Sequence, residues 1–119
     1  MKLLSILAFV AIAASAAMAL TPDDKYMLET FEQNCNINET NINQLKNMLI
    51  RFSKETHNNR ITTFFDKKDY KLAGEGLQAW INTASKDSIV KERGRYEVGF
   101  VNLRRAVNIF ASQANKGMI

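Results

Sequence analysis

The chain has 119 residues, a net charge of +4, one proline, one cysteine, one histidine and 46% hydrophobic residues. That length gives one domain, and an average apolar fraction beside 24% charged residues excludes a disordered tail, a collagen or a disulfide scaffold. A single cysteine and a single histidine also exclude an all-protein zinc cage, which needs about four such ligands.

Residues 1–19 read as a signal peptide. Lys2 supplies a short positive start, residues 3–14 form an apolar run broken only by Ser5, and Ala17-Met18-Ala19 offers the small-x-small pattern that signal peptidase accepts. The apolar run falls short of the ~20 residues that a membrane span needs. Cleavage after Ala19 would leave a single helical domain over 20–119, exported, with no transmembrane segment. Cys35 would then be an odd thiol in an oxidising compartment, with three readings open: buried and inert, the bond of a disulfide-linked dimer, or a thiol reactive toward a ligand. Asn38-Glu39-Thr40 is the one N-x-S/T sequon, a candidate glycosylation site at Asn38.

The expected domain begins with Thr21-Pro22-Asp23-Asp24, where a capping hydroxyl, a proline at the first helical position and two acids all favour a helix start. A first helix is expected over 22–33, with Met27, Leu28 and Phe31 on its apolar face. Residues 34–40 are polar and read as a connection. Asn41 and Gln44 resemble a cap pair before a second helix over 42–56, whose Ile42, Leu45, Leu49 and Phe52 recur at spacings of 3, 4 and 3. A short helix around Ile61, Phe64 and Phe65 follows a break at 57–60. A fourth element is expected over 69–84, with Ala73, Leu77, Trp80 and Ala84 on one face and a turn with an N-cap at 85–88. Gly74 and Gly76 within it mark either a bend or the close approach of another backbone.

The strongest periodicity lies at the end. From Ile89, positions Arg93, Tyr96, Phe100, Leu103, Val107, Phe110 and Ala114 alternate spacings of 4 and 3. They predict a long C-terminal helix over about 88–115, with Gly117 as its C-terminal cap and a kink available at Gly94 or Gly99. Four main helices and one short one, with brief connections and no repeats, give an all-α compact bundle.

No catalytic constellation emerges. His57 has no identifiable nucleophile or orienting acid, the acids are scattered, and phosphate loops, nucleophile elbows and EF-hand loops are absent. The expectation is therefore no enzyme, no metal and no cofactor. Basic residues do cluster: Lys67, Lys68 and Lys71; Lys86, Lys91, Arg93 and Arg95; and the pair Arg104-Arg105. Lys86, Lys91, Arg93, Arg95, Arg104 and Arg105 form the candidate interaction surface for an acidic protein or other polyanionic macromolecule, with nucleic acid not expected for an exported chain. In size and layout the chain resembles small exported effectors or inhibitors of the salivary, venom or seminal type. The alternative is a carrier of a small hydrophobic ligand, in an inter-helix cavity lined by Phe52, Trp80, Tyr96 and Phe100 and kept open by Gly74, Gly76 and Gly99.

Overall fold

A computed structural model describes residues 20–34, 37–87 and 94–119, and among them every regular element is helical. The signal-peptide assignment at 1–19, Cys35, and Lys91 with Arg93 lie outside the described residues.

Helix α1 (Pro22–Glu32) starts where the cap residues place it. The Thr21 hydroxyl accepts from the Asp24 backbone N–H at 3.0 Å, and the Asp24 carboxylate accepts from the Thr21 N–H at 3.0 Å, a reciprocal capping box. Asp24 is buried. Burial pushes its carboxyl above the ordinary 3.8, against the lowering effect of the Thr21 hydrogen bonds. A carboxyl that holds its proton more tightly in the folded chain adds stability fully present below its unfolded value and lost as pH rises through the folded one. Asp24→Asn keeps an acceptor for Thr21 but removes the titration. Its stability relative to the parent should therefore improve between about pH 3 and about pH 6 in urea unfolding, and a constant difference would show that Asp24 does not titrate this way.

A 3-10 turn (Glu39–Asn41) leads directly into α2 (Ile42–Glu55). The expected cap at Asn41 makes no side-chain cap bond. Asn38 caps instead, its side-chain oxygen accepting from the Thr40 N–H at 2.9 Å, because the preceding 3-10 turn has already taken up the first orphan donors. Helix α3 (Asn59–Asp66) is capped by Asn58, which accepts from the Ile61 N–H at 3.3 Å. Helix α4 (Tyr70–Asp87) overruns the expected turn at 85–88: Ser85 and Lys86 are helical, and residues 88–93 lie outside the described residues. Helix α5 (Glu97–Asn115) is the long C-terminal helix, but it starts later than the expected 88: a turn at Tyr96, and not at Gly94 or Gly99, separates it from helical backbone at 94 and 95.

Three helices end on a residue in the left-handed region, where two successive N–H groups turn back to the last carbonyls. Gly117 does this for α5 (φ 71°), as expected, and His57 (φ 58°) and Lys68 (φ 59°) do it for α2 and α3. The latter two carry a Cβ into a region that favours glycine, so no glycine signals these ends in the sequence.

The helices pack as an all-α bundle, with α5 at its centre: α4 and α1 make the most extensive contacts with it, and α3 folds back on α4. Phe31, Phe52, Phe100 and Phe110 are buried with Met27, Leu28, Leu45, Leu49, Leu77 and Leu103. Two aromatic groups organise this core. Phe52 meets Phe31 edge-on (centroids 6.2 Å apart, 82°) and Trp80 edge-on (5.0 Å, 76°), while Trp80 lies 6.4 Å from Phe100. Near the α3–α4 turn, Phe65, Tyr70 and Phe110 meet one another at 5.6–6.4 Å. Buried Ser53 donates to the Ile50 carbonyl (2.8 Å) and accepts from Thr62 (3.1 Å), so its hydroxyl is satisfied at this α2–α3 contact.

The glycines act by permitting contact. A Cβ on Gly74 would meet Ala111 Cβ at 3.3 Å and one on Gly76 would meet Ile61 at 3.1 Å. A Cβ on Gly99 would run into the Leu28 carbonyl oxygen and lie 3.0 Å from its carbon. At Gly74 and Gly99 a neighbouring helix fills the space, so close packing stands where an open cavity was expected, whereas Gly76 packs on Ile61 and also borders an open groove between α3 and α4.

Candidate functional site

The bundle distributes the predicted basic residues over different faces. Arg95, just ahead of α5, is held by α1: its guanidinium lies 2.9 Å from Glu29 and 3.8 Å from Glu32, and 4.9 Å from the Tyr96 ring centroid. Its charge is thus matched locally. Arg104 and Arg105 differ from it, because neither has a carboxylate partner among the described residues.

Adjacent positions on a helix point about 100° apart, and the two arginines lie on opposite flanks of α5. Arg104 faces α4. Its Nη2 donates to Ser85 Oγ at 3.0 Å, and the side chain borders a cleft of about 160 Å³ lined by Gln78, Ile81, Asn82, Arg104 and Asn108. Across this seam the Gln78 amide donates to Asn108 Oδ1 at 3.3 Å. Lys86, the residue after Ser85 on α4, is exposed and does not line this cleft. Arg105 is exposed on the other side and borders a shallow recess with Ile37, Asn38, Thr40 and Ile109. Helix α5 also exposes Val98 and Val101, about half accessible each.

The sequon lies at the second recess. Asn38 is half-buried, and its side-chain oxygen accepts from both the backbone N–H and the hydroxyl of Thr40. Acceptor asparagine and sequon hydroxyl are therefore already joined in one turn.

Of the four rings named as a cavity lining, Phe52 and Phe100 are fully buried and both meet Trp80. They fill the core. Tyr96 is half-buried against it. Trp80 also contributes to a separate open groove of about 490 Å³ between α3 and α4, shared with Ile61, Phe64, Leu72, Gly76 and Ala79. Arg60 stands on its rim, its guanidinium 5.8 Å from the Phe64 centroid, and Glu75 borders it as well. The sequence marks Trp80 and Gly76 for an inter-helix cavity but not this groove, because Ile61 and Phe64 of its lining come from α3, whose placement against α4 is not written in local spacing.

His57 is exposed, and its Nε2 lies 3.0 Å from an Asp23 carboxylate oxygen, tying the end of α2 to the start of α1. Neither residue borders the clefts described above. Among the described residues no three histidine, cysteine, aspartate or glutamate side chains gather as a metal site, and no helix is long and apolar enough to cross a membrane.

The fold and clefts define an all-α helical bundle with cations on both flanks of its C-terminal helix. Comparison of the chain with protein-family models, curated proteins and solved structures found no match.

Proposed function

We propose that the chain is exported through residues 1–19 and that the remaining domain acts without turnover, as an effector or inhibitor that binds an acidic macromolecule. The observation that carries this reading is the contrast among the arginines. Arg95 is matched by Glu29 and Glu32, whereas Arg104 and Arg105 present charge on either side of α5 with no carboxylate partner among the described residues. Cations of this kind steer an anionic partner and set the salt dependence of association.

Retention on immobilised heparin, used as a polyanion probe, tests it. The triple variant Lys86→Gln, Arg104→Gln, Arg105→Gln should elute at clearly lower salt than the parent, and Arg95→Gln should elute close to the parent. Absence of salt-dependent retention, or equal retention of parent and triple variant, overturns the reading.

The groove between α3 and α4 favours a second reading, a carrier of a small apolar ligand, since its volume of about 490 Å³ and its Phe64, Leu72 and Trp80 lining match small-molecule sites. A lipid retained by the purified protein in native mass spectrometry would support the carrier over the binder.

A further inference from the structure

We propose that the cleft between α4 and α5 around Arg104 is a subsite for one acidic saccharide unit, a sugar ring bearing a sulfate or a carboxylate. The inference rests on the polyanion-binding reading and names the chemistry that one flank of α5 selects.

The donor set is the first reason. Arg104 has five N–H donors in a planar fork, of which one bonds Ser85 Oγ at 3.0 Å. That bond fixes the guanidinium at the edge of the cleft, and none of the lining side chains is acidic. A planar cation held in place and without a carboxylate suits an oxyanion with two adjacent oxygens.

The carboxamides decide what carries that oxyanion. Gln78, Asn82 and Asn108 bring N–H donors and also carbonyl oxygens that need donors. One donor and one acceptor are used up in the Gln78–Asn108 bond. A bare sulfate or phosphate offers only acceptors and would leave the remaining carbonyl oxygens facing negative charge. Sugar hydroxyls both donate and accept, so a saccharide satisfies carboxamides and guanidinium together. Ile81, fully buried, closes the base of the cleft beneath these polar groups. The cleft is open and about 160 Å³, enough for one ring-sized group and too small for a large apolar ligand.

Geometry separates this subsite from general attraction. Arg105, the next residue, lies on the other flank beside Ile37 and Ile109. Equal charge at 104 and 105 should therefore have unequal consequences.

The test is titration of the full domain with a sulfated heparin disaccharide, a neutral disaccharide carrying neither sulfate nor carboxylate, and sodium sulfate, followed by backbone amide chemical shifts and by calorimetry. The neutral sugar should bind about tenfold more weakly than the sulfated one or not at all. The sulfated disaccharide should shift amides around 78–85 and 104–108. Arg104→Gln should weaken it about tenfold or more, Arg104→Lys by an intermediate factor, Asn82→Ala severalfold and Arg105→Gln less than about twofold. Thermal melting of each variant checks that the bundle is intact. Equal weakening by Arg104→Gln and Arg105→Gln overturns the subsite while leaving polyanion binding standing, as does heparin retention with no shifts in these segments. Sodium sulfate binding as tightly as the disaccharide shows a simple oxyanion site and overturns the saccharide. Loss of all binding by the parent overturns both this inference and the function it rests on.

Discussion

Phe52→Ala should cost about 3–5 kcal/mol of stability and lower the melting temperature by on the order of 20 °C. Phe52 is fully buried and is the ring that joins α1 to α4, meeting Phe31 at 6.2 Å and Trp80 at 5.0 Å. Alanine leaves a ring-sized void between helices that are held apart by their other contacts, so the loss includes cavity as well as transfer free energy. Against a total of roughly 5–15 kcal/mol for a domain, that leaves a marginal fold. Chemical denaturation measures it directly, and the emission of Trp80, the only tryptophan, should change with its lost partner. Phe64, half-buried on the groove rim, is the control and should lose much less. A cost below about 1 kcal/mol for Phe52→Ala would contradict its place in the core.

Gly99→Ala should destabilise the bundle by about 2 kcal/mol, although alanine is the better helix former by roughly 1 kcal/mol. The added Cβ meets the carbonyl of Leu28, which is backbone of α1 and cannot turn aside as a side-chain end would. Nearby, Asn102 Nδ2 donates to the Phe31 carbonyl at 2.9 Å, holding the end of α1 on the same face of α5. Pushing α1 outward therefore strains this bond too. Gly94→Ala supplies the contrast: it sits in helical backbone with nothing within 4 Å of the added atom, and should be neutral or stabilising by up to about 1 kcal/mol. Urea unfolding of the two variants separates the effects, and a Gly99→Ala domain as stable as the parent would contradict the close α1–α5 approach.

Much of the fold was legible because it depends on near neighbours. The capping box at Thr21 and Asp24 is set by residues three apart, and the buried faces of α2 and α5 are written as spacings of 3 and 4. The cap of α2 was misread because Asn41 has the right chemistry, while the 3-10 turn that begins at Asn38 supplies the bond earlier. The end of α4 was misread because Ser85-Lys86-Asp87 resembles a turn, whereas Ala84 is buried and Ser85 bonds α5, so packing carries the helix further. Periodicity also marked Phe52, Trp80 and Phe100 as inward-facing. It could not distinguish rings that line a cavity from rings that pack on each other, because that depends on distances between helices.

The candidate site was legible only as composition. Six basic residues form a list, and the chain order places Arg104 and Arg105 together. Tertiary structure divides them: the helical rotation per residue sends one toward Ser85, Asn82 and Gln78 of α4, and the other toward Ile37 and Asn38. It also neutralises Arg95 with Glu29 and Glu32, residues more than sixty positions away.

From an average composition, +4 charge and unbroken helical spacing, the sequence by itself determined an all-α chain and which faces are apolar, since local hydrogen bonding and side-chain period act within a few residues. Only the tertiary structure decided which cations remain without an acid and which glycines bear contacts. It also packed Phe52 and Phe100 into the core and left an outer groove beside Trp80, because charge pairing, close approach and void volume are properties of helices brought together from distant parts of the chain.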